Sequence, residues 1–180
     1  MATDKSSAEK KQSANTRGQP GPLSVAADLR HLIVDGTYKA GARITERTVA
    51  ERFDCTAAST REAFHLLEKQ GAIIVSARRG ARVIDHAQAP PSEIFLVWDR
   101  LRWLLGEELR RHGQAVNGEG AVTSSGASRS QRLIAAEANL NRLGALAHNK
   151  RLAEVMARIA LHVMIVAPDR FEEIEASLAR

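Results

Sequence analysis

From Leu23 onward, apolar residues recur at helical spacing. Ala26, Leu29, Leu32 and Ile33 share one face of a first helix, which Gly36 ends. Residues 36–44 hold two glycines and predict a tight connection. Thr45 can cap a short second helix whose inner face is Val49, Ala50 and Phe53. After a brief turn at Asp54 and Cys55, Thr56 can cap a third helix. On it Thr60, Ala63, Phe64 and Leu67 fall at i, i+3, i+4 and i+7, and Gly71 suits a left-handed end. Two β-prone runs, 73–75 and 82–84, then flank a turn containing Gly80 and predict a hairpin with a basic tip. Three helices, the last two joined by a tight turn, followed by such a hairpin describe a winged helix-turn-helix over 23–86.

Pro90 and Pro91 mark a boundary. Ser92 can cap a long helix reaching about His112, with a stripe of Ile94, Val97, Leu101, Leu104, Leu105 and Leu109. Arg110, Arg111 and His112 sit in its last turn, where the helix dipole favours cations, and Gly113 can close it. Residues 113–130 are rich in Gly and Ser and read as a flexible loop. Helices over about 131–147 and 150–166 follow, then a short one with Phe171, Ile174 and Leu178 on one side. The expected fold is mainly α: a polar, disordered arm (1–22), a winged helix-turn-helix (23–86) and an all-α bundle (92–180).

Composition narrows the function. Hydrophobic residues make up 44% of the 180 but aromatics only 4%, so Leu, Ile, Val and Ala must fill the core, as in helix-on-helix packing. The single cysteine, Cys55, cannot form an internal disulfide and reads as core filler. No apolar run in the first 22 residues resembles a signal peptide, and no stretch reaches the ~18 apolar residues of a membrane span. A reduced, soluble, cytoplasmic protein is expected. No phosphate loop, acid/base carboxylate pair or Ser/His/Asp pattern stands out, so an enzyme is not expected. Glu108 and His112 are read as a charge pair at a helix end, and His148 and His162 lack ligand spacing.

The net charge of +5 is compatible with a polyanionic partner, and its placement points to duplex DNA. The outward face of the third helix carries Ala57, Ala58, Arg61 and His65. Arg61 can reach guanine O6/N7 or a phosphate. Thr56 can donate to a phosphate beside free backbone N–H groups. Arg47 begins the preceding helix, and Arg78, Arg79 and Gly80 form the hairpin tip. In the arm, Lys10, Lys11 and Arg17 are either an inert tail or phosphate contacts. Each arginine also has a plainer reading as a solvated charge, or for Arg47 as an i,i+4 ion pair with Glu51.

These residues carry a specific resemblance. Ile33 and Gly36, then Gly41, Arg43, Ile44, Glu46, Arg47, Val49 and Ala50, then Thr56, Thr60 to Phe64, Leu67, Glu68 and Gly71, then Arg79 to Ala81 and Val83 have the spacing of the GntR family's DNA-binding domain. The resemblance implies a transcription regulator that binds a pseudo-palindromic operator as a homodimer. It also implies DNA contacts from Arg47, Thr56, Arg61 and Gly80 with its neighbours. Ala40 replaces the family's usual Pro, and Ala57 replaces a base-reading Arg found in many relatives. The segment from about 92 resembles the helical effector domain of the FadR-like branch, called FCD, through Leu143, Leu146, Asn149, Arg151 and Leu152, and through Arg102 and Leu105. That resemblance implies a small carboxylate effector, with Arg102 facing it. The family's metal-binding Asp and His fall on Ala136 and Leu140, and its first-helix Glu on Gly106, so no metal or other cofactor is expected. The second domain is expected to be a shortened version. Two alternatives stay open: a helical dimerisation partner of an intact paralogue that no longer reads DNA, and a small-molecule-binding bundle with an idle head.

Overall fold

The computed structural model describes residues 19–76, 79–114 and 126–179. Within these the chain is mainly helical, with a small antiparallel sheet in its N-terminal half. Helix α1 (Pro22–Val34) starts with Pro at its first position, where no amide hydrogen is needed, and buries Val25, Ala26, Leu29, Ile33 and Val34. Leu32, expected on that stripe, is only half-buried. Helix α2 (Glu46–Phe53) is capped by Thr45, whose hydroxyl accepts from the Thr48 amide at 3.2 Å. Helix α3 (Ala57–Gln70) is capped by Thr56 and ends at Gly71 in the left-handed region. Its buried face is Thr60, Ala63, Phe64 and Leu67, as the periodicity predicts. Cys55 is buried in the turn between α2 and α3, its Sγ 3.3 Å from Thr60 Oγ1.

The predicted hairpin forms from β2 (Ile73–Ser76) and β3 (Gly80–Val83). A third strand, β1 (Arg43–Ile44), joins it in the order β1-β3-β2, within the segment read from sequence as a simple connection. Two residues are too few to show alternation, yet Ile44 is 1% exposed and anchors the strand. Glu68 ties α3 to the hairpin by accepting from the Val75 amide at 2.9 Å.

The C-terminal half comprises α4 (Pro91–Arg111), α5 (Arg129–Leu146), α6 (Lys150–Val166), a 3-10 turn (Pro168–Arg170) and α7 (Phe171–Leu178). Pro90, not Ser92, precedes the first turn of α4. Its buried stripe is Ile94, Trp98, Leu105 and Leu109, so the helix is turned from the expected face and leaves Val97 and Leu104 exposed. The large Trp98 ring sets this rotation: it is 1% exposed, and its Nε1 donates to Ser177 Oγ at 2.9 Å. Glu108 accepts from Arg111 at 2.9 Å, in place of the expected pairing with His112, whose ring lies 4.5 Å from that of His148. Gly144 lets α5 and α6 cross closely, since a Cβ there would stand 2.4 Å from Ala153 Cβ. Arg132 on α5 holds Glu175 on α7 through two hydrogen bonds of 3.1 and 2.5 Å.

The two halves meet across a polar seam. Arg30 pairs with Glu137, and the Asp35 carboxylate at the end of α1 accepts from the amide and hydroxyl of Ser130 at 3.1 and 3.0 Å. That carboxylate sits at the first turn of α5, where the helix dipole favours an anion. His162 on α6 lies against Gly71, the residue that ends α3.

Two stability predictions follow from this packing. A Cβ at Gly80 would stand 2.4 Å from the Ile44 carbonyl oxygen, with φ at +78°. Gly80→Ala is therefore expected to cost about 2–4 kcal/mol. Gly113→Ala shares a positive φ but meets nothing within 4 Å, and should cost only about 1 kcal/mol. Equal costs in denaturant melts would show that the Gly80 contact is immaterial. Burial, and then the charge of Arg158, push the His162 pKa below its ordinary 6.5. In the window below that value the unfolded chain binds more protons than the native one. The stability contributed by neutral His162 is thus present above about pH 6.5 and lost as pH falls through the folded pKa. Melting temperatures taken from about pH 7 to pH 5 should fall less steeply in His162→Leu than in the parent. An unchanged slope would remove His162 from the account.

Candidate nucleic-acid interface

Local capping fixes the end of α3 that faces outward. The Thr56 hydroxyl accepts from the Ser59 amide at 3.0 Å and donates to Ser59 Oγ at 3.0 Å. The amides of Ala57 and Ala58, the first two of the helix, have no intrahelical partner. Thr56, Ala57, Ala58, Arg61 and His65 are all exposed, so the outward face read from the sequence is the one the fold presents. Ala57 and Ala58 are small, and leave those amides open to close approach by a phosphate oxygen. His65 lies two turns further on, with Nδ1 3.7 Å from Glu68 Oε2.

Arg61 is joined to the start of α2. Its Nε donates to Glu46 Oε2 at 2.8 Å, which brings Arg61 beside Arg47. Arg47 donates to Glu51 at 2.7 Å, the i,i+4 pair that the spacing allows. The bond to Glu51 raises the Arg47 pKa further above its already high value. Both pairs are exposed, where such bonds contribute little and can be exchanged for another anion.

The wing is tied to the same surface by backbone contact. Gly80 packs on Ile44 and Thr45, immediately before α2. Arg79 is exposed next to it, and its carbonyl accepts from Arg43 Nε at 3.0 Å. Arg43 faces Arg82 across the β1–β3 pair, and Arg82 donates to the Gly41 carbonyl at 2.8 Å. Among the described residues Arg43, Arg79 and Arg82 form no ion pair. Like charges directly opposite on a sheet repel. An anion laid along the wing relieves that repulsion. The sequence reading passed over Arg43 and Arg82 because the strand that pairs them is only two residues long. Their shared side of a β-ladder was the missing signal.

The structure thus brings Arg47, Thr56, Ala57, Arg61, Arg79 and Gly80 onto contiguous elements and adds Arg43 and Arg82. Arg78, Lys10, Lys11 and Arg17 lie outside the described residues. Arg102 is not part of this surface. It is exposed on α4 and borders a recess of about 180 Å³ beside Leu143 and Leu178. Ala136 and Leu140 are buried apolar residues of the α5 core, 6% and 0% exposed. They offer a metal ion no donor atom, so this helix does not fit the metal site implied by the family resemblance. Among the described residues no group of three or more His, Cys, Asp or Glu could hold a metal, and no helix is long and apolar enough to cross a membrane.

Comparison with known proteins bears on the same segment. Residues 23–83 match the sequence profile of bacterial regulatory proteins of the gntR family. The HTH-type transcriptional regulator YdhC of Bacillus subtilis (strain 168) is 33% identical over 78 residues. That match covers 43% of this chain and 35% of YdhC, so the chain spans about a third of that relative's length. Among solved structures, a transcriptional regulator GntR from Rhodococcus sp. RHA1 aligns at 22% identity and a TM-score of 0.43, over 87% of this chain and 70% of that one. E. coli McbR/YncC aligns at 24% identity and a TM-score of 0.40, over 88% and 70% of the two chains. The segment 23–83 thus matches the profile of the gntR family of bacterial regulatory proteins and has the element order of a winged helix-turn-helix.

Proposed function

We propose that the chain is a transcription regulator that binds a pseudo-palindromic operator as a homodimer. The N-terminal end of α3 enters the major groove, and the wing lies along the phosphates. The observation that carries this reading is the set of exposed arginines on adjoining elements, from Arg61, linked to the start of α2 through Glu46, to Arg43, Arg82 and Arg79 on the wing, held together by the Gly80–Ile44 contact. With Ala57 in place of an arginine, base reading falls mainly to Arg61, and the wing supplies affinity that does not depend on sequence. The unpaired wing arginines favour this over the dimerisation-partner alternative, because opposed like charges serve no purpose in a head that has ceased to bind a polyanion.

The homodimer reading is supported by α4. Leu96, Val97, Trp103 and Leu104 are 60%, 46%, 63% and 36% exposed and recur at i, i+1, i+7 and i+8. That makes one uncovered apolar face, suited to an isologous contact with a second copy. The helices of the C-terminal half are read as an FCD-type body that sets the spacing of two heads.

Binding should be measured by fluorescence anisotropy on duplexes selected from a random pool. Arg79→Ala and Arg43→Ala are expected to weaken all duplexes alike and to flatten the salt slope by about one unit each. Arg61→Ala should cost about 1–3 kcal/mol on the selected site and relax preference at one base pair. Unaltered binding in all three folded variants would refute this assignment. For the dimer, Trp103→Glu is expected to shift sedimentation from dimer to monomer with helicity retained, and to weaken operator binding. A parent protein that sediments as a monomer, or a variant that stays dimeric, would move the interface off α4.

A further inference from the structure

A cleft of about 760 Å³ opens at the seam between the two halves. Its head side is α1 and the last turn of α3, and its body side is α5 and α6. That volume falls within the usual range of small-molecule sites, about 300–1,000 Å³. The recess by Arg102 holds about 180 Å³ and falls below it. The interior of the body is filled by Trp98, Leu133, Leu140, Met156 and Met164, each at most 1% exposed.

The cleft is chemically two-sided. Ala26, Leu66, Val155 and Leu161 line it with apolar surface. Four permanent cations, Arg30, Lys69, Arg151 and Arg158, line it against two carboxylates, Glu137 and Glu154. The carboxylates are matched to Arg30 and Arg151. Lys69 and Arg158 form no ion pair among the described residues, which leaves two positive charges in excess. Lys69 stands in the last turn of α3, while Arg158 stands on α6 against Gly71. The buried side-chain nitrogens without a hydrogen-bond partner among the described residues are Arg30 Nε and His162 Nε2. Both belong to this seam: Arg30 lines the cleft, and His162 sits beside Arg158 behind it.

We propose that this cleft binds a small organic anion with an apolar body, whose anionic group bridges Lys69 and Arg158 and so fixes the recognition helix against the body. Binding at the cleft is independent of the DNA reading, whereas its regulatory consequence rests on it. A ligand that clamps the end of α3 restricts the angles at which the head meets a half-site, and operator affinity changes with occupancy.

The test is calorimetry on the full chain with 1-naphthoate as probe, against neutral 1-naphthamide and inorganic phosphate. Naphthoate is expected to bind, and the amide and phosphate to bind at least about tenfold more weakly. K69Q and R158Q should each weaken naphthoate by about tenfold with melting temperature retained, while R102Q leaves it unchanged. Failure of naphthoate to bind at millimolar concentration would overturn the proposal. So would equal binding of phosphate, or loss of binding in R102Q but not in R158Q. In the presence of naphthoate, duplex affinity should change by more than about threefold in the parent and not in R158Q. A parent that binds naphthoate and duplex with no mutual effect would overturn the regulatory half. A parent that binds naphthoate but no duplex would sink the DNA reading and leave the cleft intact.

Discussion

The approach of the Gly80 backbone to the Ile44 carbonyl is the contact on which the candidate nucleic-acid surface depends. At 2.4 Å from that oxygen there is no room for a Cβ, so the wing can rest on the start of α2 only where the chain lacks one. Everything that faces outward is arranged around this point. Ile44 pairs with Ala81 in β3, Thr45 caps α2, and Glu46 reaches across to Arg61 on α3. The wing, α2 and α3 are thereby referenced to one another through three consecutive residues, 44–46. Side chains at the surface are soft, whereas backbone contact is stiff, and a groove-matching surface needs the stiff kind.

Charge is distributed unevenly over that surface. Arg61 and Arg47 each have a glutamate partner, while Arg43 and Arg82 oppose each other without one among the described residues. The matched pairs are exposed and contribute little to folding. They do restrict two flexible guanidinium groups, which under the proposed DNA reading reduces the ordering entropy lost on binding. The opposed pair is mildly destabilising in the free protein. Under the proposed DNA reading, affinity for a polyanion and stability of the fold pull in opposite directions at positions 43 and 82.

How legible all this was in the sequence depended on the range of each interaction. The caps at Thr45 and Thr56 and the left-handed Gly71 are set within four residues, and each was readable from its neighbours. The buried face of α3 follows the same local rule. The face of α4 was not readable, because Trp98 is drawn inward by Ser177, a partner 79 residues away. Apolar spacing alone allowed either rotation of that helix. Glu108 likewise had two partners within helical reach, and geometry chose Arg111 over His112. Arg43 and Arg82 became partners only through a cross-strand register that two residues cannot announce. The seam was wholly hidden, since Arg30 and Glu137 are 107 positions apart.

The make-up of that seam also bears on the proposed coupling of head and body. A wholly apolar junction between the halves would lock at one angle, because packed hydrophobic cores tolerate little sliding. Here the contacts that tie α1 and α3 to α5 and α6 include an ion pair, a carboxylate at a helix start and a histidine packed on a glycine. Polar contacts of this kind can exchange partners with a ligand or with water at small net cost. The half-buried His162 belongs to the same set, and burial, then the charge of Arg158, hold its pKa down against the opposing pull of the Gly71 backbone. Among the described residues the buried side-chain nitrogens without a hydrogen-bond partner, Arg30 Nε and His162 Nε2, both lie at this junction, which abuts the C-terminal turn of α3. Under the proposed regulation, a shift in head angle is driven from this seam rather than from the filled interior of the body.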